Sequence, residues 1–122
     1  MTDQLVFVYG TLKSGFTNHD CMWGRYLCDG ITSDSYLMYS NGAYPTVTPD
    51  EDGTQVKGEL YICDEMAMEN LDALESNGYL YTREQRTIIT ESGRVRAWIY
   101  LFNHEHNGHQ VVSGEFTQSD YR

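Results

Sequence analysis

Proline is nearly missing from this chain: Pro45 and Pro49 are the only two among 122 residues. There is also no internal repeat, no low-complexity tract and no Pro/Gly/Ser-rich stretch, so nothing divides the chain, and one domain over residues 1–122 is expected. The three cysteines, Cys21, Cys28 and Cys63, are odd in number and lack C-x-x-C spacing. This argues against a disulfide framework and against a thioredoxin-like or zinc motif, and fits reduced thiols. Positive charge is scarce, with 8 basic against 18 acidic side chains and a net charge of −10. Such a field repels phosphates and anionic membrane surfaces, so neither nucleic acid nor membrane is an expected partner, and it helps keep the protein soluble. No run approaches the ~20 apolar residues of a membrane span, and the N-terminus lacks the apolar core of a signal peptide. A cytoplasmic protein acting as a monomer is expected.

What the chain does contain is a strand that stops abruptly. Val6-Phe7-Val8-Tyr9 is apolar, β-branched and aromatic, and breaks at Gly10 into Thr11, Leu12 and Lys13. This reads as a buried strand ending in a tight turn. The N–H groups of Gly10, Thr11 and Leu12 then lack ladder partners, and Gly10 has no Cβ to obstruct a ligand, so the turn suits an anion or a developing oxyanion. Cys21 to Cys28 stays open between a short helix and irregular structure. Further strands are expected over Ile31–Tyr39, over the short Tyr44–Thr48 (where Pro45 forbids a central position in a sheet), and over Val56–Ile62. In the last of these, Val56, Gly58, Leu60 and Ile62 alternate with Lys57, Glu59 and Tyr61. Two more, Tyr81–Thr90 and Arg94–Phe102, flank Glu91-Ser92-Gly93 and form a hairpin. The polar tail has one short extended piece near Gln110–Val112.

One helix is clear. Asp64 precedes Ala67, Met68, Leu71 and Leu74 at helical spacing, and Asn77-Gly78 ends the run. Several strands and one good helix indicate an α+β domain. Glu75 lies four residues after Leu71, on or beside the apolar stripe, and in the last turn, where helix carbonyls disfavour a carboxylate by roughly 0.3–1 kcal/mol. Two readings follow. If the side chain points inward, desolvation and the negative helix end raise its pKa above the ~4.3 of free glutamate, towards values suited to general acid/base work. If it lies at the rim of the stripe, it is solvated and inert.

Val6 to Leu12 with Lys13, Gly15, Asn18 and His19 resembles the N-terminal signature of the γ-glutamyl cyclotransferase-like family, most closely its γ-glutamylamine branch. Leu71-Asp72-Ala73-Leu74-Glu75 followed by Tyr79, Tyr81 and Arg83 resembles the family's catalytic helix. Tyr44-Pro45, Gly58-Glu59-Leu60-Tyr61, Ala97-Trp98-Ile99-Tyr100 and Ser113-Gly114-Glu115-Phe116 resemble further family positions, in the family's order. The resemblance implies a small mixed β-barrel of about six strands with one main helix packed against it. It also implies conversion of a small-molecule γ-glutamylamine to 5-oxoproline and free amine, without metal or other cofactor. Glu75 aligns with the family's catalytic glutamate, and the amides of Gly10, Thr11 and Leu12 would bind the substrate. Tyr9, Tyr79 and Tyr81 are either substrate-binding or ordinary core aromatics. Asn18 and His19 would fix the loop, while Lys13 is a solvated charge or meets the substrate carboxylate.

Other readings compete. The alternative within the same chemistry is a cyclotransferase acting on other γ-glutamyl compounds, such as dipeptides or γ-glutamyl-capped metabolites, and a catalytically silent domain would use the same pocket to bind a small ligand. His104, His106 and His109 with Glu105 have the ligand types of a metal site, but they share no helical or strand register and are read as surface histidines.

Overall fold

A computed structural model describes residues 3–120. In chain order the elements are β1 (Gln4–Val8), β2 (Arg25–Thr32), β3 (Tyr36–Ser40), β4 (Pro45–Pro49), β5 (Lys57–Cys63), α1 (Glu65–Leu74), β6 (Tyr81–Thr90), β7 (Gly93–Phe102) and β8 (His109–Gln110). Five strands close into a barrel in the order β1-β5-β2-β6-β7, and a second sheet runs β4-β3-β8. The closing pair is parallel, Val6 opposite Trp98, while β1 and β5 run antiparallel with Phe7 opposite Leu60. The barrel is thus mixed, as the resemblance implied, with five strands in place of about six. No helix among the described residues is long and apolar enough to cross a membrane.

The count differs because the stretch expected as one strand from Ile31 to Tyr39 is two. Thr32 Oγ1 donates to the Asp34 carbonyl (2.7 Å) and accepts from the Val56 N–H (2.8 Å). This turn over Ser33-Asp34-Ser35 sends the chain out of the barrel and into the second sheet. β2 itself begins well before Ile31. Arg25, Tyr26 and Leu27 are exposed, so that half of the strand carries no apolar alternation to read. Where a helix was the alternative, there is a single 3-10 turn, His19–Cys21. Pro45 lies on β4, an edge strand paired only with β3, where its missing N–H costs no ladder bond.

Two apolar clusters account for the strand patterns. One gathers Phe7, Leu60, Ile88, Ala97 and Ile99 of the barrel with Tyr36, Met38 and Val47 of the second sheet. The other holds Val6, Val8, Tyr61 and Cys63 against Ala67, Met68 and Leu71 of α1. β5 therefore does not alternate buried with exposed. The helix covers its outer face, so Tyr61 and Cys63 are buried alongside Leu60, while Ile62 is only half-buried.

The helix starts as expected, the Asp64 carboxylate accepting the Ala67 N–H at 2.8 Å. It ends earlier than the Asn77-Gly78 signal suggests. Glu75 is the C-cap and Ser76 is left-handed (φ 48°). The Asn77 N–H reaches the Asp72 carbonyl (2.9 Å) and the Ser76 N–H the Ala73 carbonyl (3.3 Å), which is a Schellman closure built on serine rather than glycine.

Candidate active site

A cavity of about 130 Å³ opens where five separate parts of the chain meet. The turn after β1 contributes Tyr9, Gly10, Thr11 and Leu12; the start of β4, Tyr44 and Pro45; the end of α1, Leu74 and Glu75; the start of β6, Leu80 and Tyr81; and Tyr100 joins from β7.

The turn is asymmetric in its hydrogen bonding. All three of its carbonyls are engaged: Gly10 accepts from the Lys13 N–H (3.0 Å), Thr11 from the Asn18 N–H (3.1 Å) and Leu12 from His19 Nδ1 (3.0 Å). Asn18 Nδ2 also donates to Thr11 Oγ1 at 2.9 Å, so Asn18 and His19 do hold the loop. The N–H groups of Gly10, Thr11 and Leu12, by contrast, donate to no acceptor among the described residues. Buried or half-buried amides without partners are uncommon, and three in succession on a cavity wall favour an anionic oxygen there. The glycine has a second reason. A Cβ on Gly10 would stand 2.7 Å from Cγ and Cδ of Pro45, so the absent side chain admits the Pro45 ring against the turn.

Glu75 lines the same cavity and is half-buried. Its carboxylate receives no hydrogen bond from any described residue, and desolvation pushes it up to about 7. The tyrosines around it are engaged elsewhere. Tyr9 Oη donates to the Tyr100 carbonyl, Tyr81 Oη to the Pro45 carbonyl (2.9 Å) and Tyr100 Oη to Asp72 Oδ1 (2.6 Å). Burial is the main cause that raises all three phenols above their ordinary value. They shape the walls with their rings and leave Glu75 as the lining group that changes charge near neutrality.

Of the residues expected at a site, Tyr9, Gly10, Thr11, Leu12, Glu75 and Tyr81 come together here. Tyr79 does not. It is 73% exposed, with its ring 5.5 Å from His104, because the left-handed turn at Ser76 carries it outward. Leu74, expected on the buried stripe, is instead partly exposed and lines the cavity. Lys13 is neither solvated nor at the cavity. It is buried, with Nζ donating to the Phe116 carbonyl at 2.7 Å. The histidines go to three different places: His104 to the Tyr79 carbonyl, His106 between Thr46 and Thr48, and His109 to Asp120. Among the described residues no cluster has the makings of a metal site. Tyr44, Leu80 and Tyr100 were missed as site residues, although Tyr44-Pro45 and Ala97-Trp98-Ile99-Tyr100 had carried the resemblance.

The profile of the family described as Gamma-glutamyl cyclotransferase, AIG2-like, matches residues 6–119. The chain belongs to this family. It is 37% identical over 122 residues to a Methanocaldococcus jannaschii protein provisionally named a gamma-glutamylcyclotransferase, covering 98% of each. It is also 34% identical over 116 residues to the gamma-glutamylcyclotransferase family protein YtfP of Escherichia coli K12, covering 94% of this chain and 97% of that one. Among solved structures, an AIG2-like protein from Mus musculus superposes with a TM-score of 0.79 at 26% identity, over 87% of this chain and 81% of the mouse chain. The family match spans every element that lines the cavity, from the β1 turn to β7.

Proposed function

We propose that the protein is a γ-glutamyl cyclotransferase that converts a γ-glutamylamine to 5-oxoproline and free amine, with Glu75 as the proton carrier. The observation that carries this reading is the pairing, in one cavity, of a carboxylate raised to about 7 with three successive amides, none of which has a partner among the described residues. The substrate's own α-amine attacks its γ-carbonyl carbon, the new ring C–N bond forms, and the C–N bond to the leaving amine breaks. The α-ammonium loses two protons as it becomes the lactam N–H; Glu75 relays them, one to the departing nitrogen as its C–N bond breaks and one to the released amine, which leaves as its ammonium, so atoms and charge balance without a co-reactant. The amides of Gly10, Thr11 and Leu12 stabilise the oxygen that gains charge, where loss of one such donor typically costs ~2.7–4 kcal/mol. Because nucleophile and electrophile share one molecule, the remaining task is to hold a folded conformer in a walled pocket, worth up to roughly 7–11 kcal/mol when aligned.

An amine leaving group without a carboxylate suits the other walls. Tyr44, Leu74 and Leu80 are apolar or neutral, and no Lys, Arg or His is among the lining residues. The test is release of 5-oxoproline from a panel of γ-glutamylamines, γ-glutamyl dipeptides and glutathione, with and without chelator. Chelator-resistant release that favours the γ-glutamylamines is expected. A preference for dipeptides would move the substrate to other γ-glutamyl compounds, and release from none would leave a binding domain.

A further inference from the structure

We infer that Lys13 is a positioning residue, a buried tether through which the C-terminal tail sets the geometry of the amide turn beside Glu75. The inference rests on the function proposed above for that turn. Burying an ammonium is unfavourable unless it is well partnered, and a methionine would fill the same space at less cost. Lys13 is nonetheless 7% exposed, and burial pulls its pKa down. No carboxylate among the described residues pairs with it directly; Glu115, Glu59, Asp120 and Asp29 act on it from longer range. Its ammonium donates to the Phe116 carbonyl, at 2.7 Å. The Lys13 N–H closes the turn on the Gly10 carbonyl, so backbone and side chain of one residue join the turn to a segment 103 positions away.

The tail is suited to act as an anchor. Two further contacts follow the same line: the Phe16 and Phe116 rings lie 5.5 Å apart, and Gln118 Nε2 donates to the Gly15 carbonyl at 2.9 Å. The tail is itself held to the barrel and second sheet. Phe116 is fully buried, the Lys57 N–H donates to the Gly114 carbonyl (2.9 Å), and Ser40 Oγ donates to the Asp120 carbonyl (2.6 Å). Gly114, at φ 75°, packs so closely that a Cβ would stand 2.1 Å from the Gln55 carbonyl oxygen. With its carbonyls engaged and its amides without an acceptor among the described residues, the turn is held on its carbonyl side and not on its donor side before substrate arrives. The tether supplies that constraint from behind, which is what preorganised donors require.

The experiment compares Lys13→Met, Lys13→Arg and Gln118→Ala with the parent by thermal melting, 15N relaxation of the backbone and 5-oxoproline release. Lys13→Met is expected to lower the order parameters of Gly10, Thr11 and Leu12 relative to the barrel strands and to reduce kcat at least tenfold with little change in KM. Lys13→Arg should restore most of both. Gln118→Ala, which removes one exposed contact, should loosen the turn in the same direction but less. Parent-like order at these amides in a folded Lys13→Met protein would overturn the inference. If Lys13→Met does not fold, an unchanged turn in Gln118→Ala overturns it instead. The relaxation data do not depend on turnover. A parent protein that releases no 5-oxoproline but whose turn loosens in the variants would therefore sink the proposed activity and leave the tether standing.

Discussion

The two ends of α1 each carry a carboxylate, and they do opposite things. Asp64 sits exposed at the N-terminus, where its Oδ1 accepts the Ala67 N–H and the helix dipole favours negative charge. Glu75 sits at the C-terminus, where no basic residue occupies the last turn, no described donor reaches its carboxylate, and desolvation raises it to about 7. The first placement stabilises the fold. The second works against the charged form and yields a group able to exchange a proton near neutral pH. The same kind of side chain performs either task, according to whether it is exposed beside an open helix amide or desolvated on a cavity wall.

The largest expected difference is in rate. Glu75→Gln should lower kcat by roughly 10²–10⁴ while the protein still melts cooperatively, because only the proton carrier is removed. Asp64→Ala should keep parent-like kcat; the two variants measured side by side in 5-oxoproline release would break the comparison if Asp64→Ala lost as much. The pH dependence sharpens it further. With Glu75 required as a base, kcat/KM should fall below an apparent pKa of about 7. Because the folded pKa lies above the ordinary 4.5, the contribution of Glu75 to stability is fully present below about pH 4.5 and is lost as pH rises through about 7. Glu75→Gln should therefore melt higher than the parent above pH 7 and together with it near pH 4.5. A constant offset in Tm across that range would contradict the raised pKa.

Smaller effects test the ends as structure. Asp64→Ala should cost ~1 kcal/mol in denaturant unfolding and leave the acidic limb of the rate profile where it is. Ser76→Gly should add on the order of 0.5 kcal/mol, since a left-handed non-glycine residue costs about 1–2 kcal/mol and glycine gives back part of that as chain entropy. A destabilised Ser76→Gly would mean that the serine does more at the helix end than tolerate its φ.

Much of the fold was legible where the pattern was local. The double-faced burial of β1, the β6–β7 hairpin, the Asp64 cap and the edge position of Pro45 all follow from side-chain periodicity and backbone chemistry. The break between β2 and β3 was not legible, because it depends on Thr32 bonding at once to Asp34 and to Val56, 24 residues away. Nor was the exposed first half of β2, which has no alternation to betray it. At the site, Glu75 breaks a local preference, but the pattern left it open between an inward and a solvated reading until the family resemblance singled it out; the turn was legible from the strand that halts at Gly10. Leu74 and Leu80 break none, and Tyr79 looked as eligible as Tyr81 until the turn at Ser76 separated them.

The sequence by itself determined the α+β class, the helix with its cap, the turn with its glycine and the carboxylate placed against the helix dipole. These are settled within a few residues of backbone, where sterics, hydrogen bonding and period act directly. Tertiary structure alone decided how strongly Glu75 is desolvated, that the Pro45 ring needs the space at Gly10, that three tyrosine hydroxyls are engaged as bracing, and that Lys13 is buried against Phe116. Each of these depends on what a distant segment brings to the same place, and desolvation and packing are set by that assembled surrounding, not by neighbours in the chain.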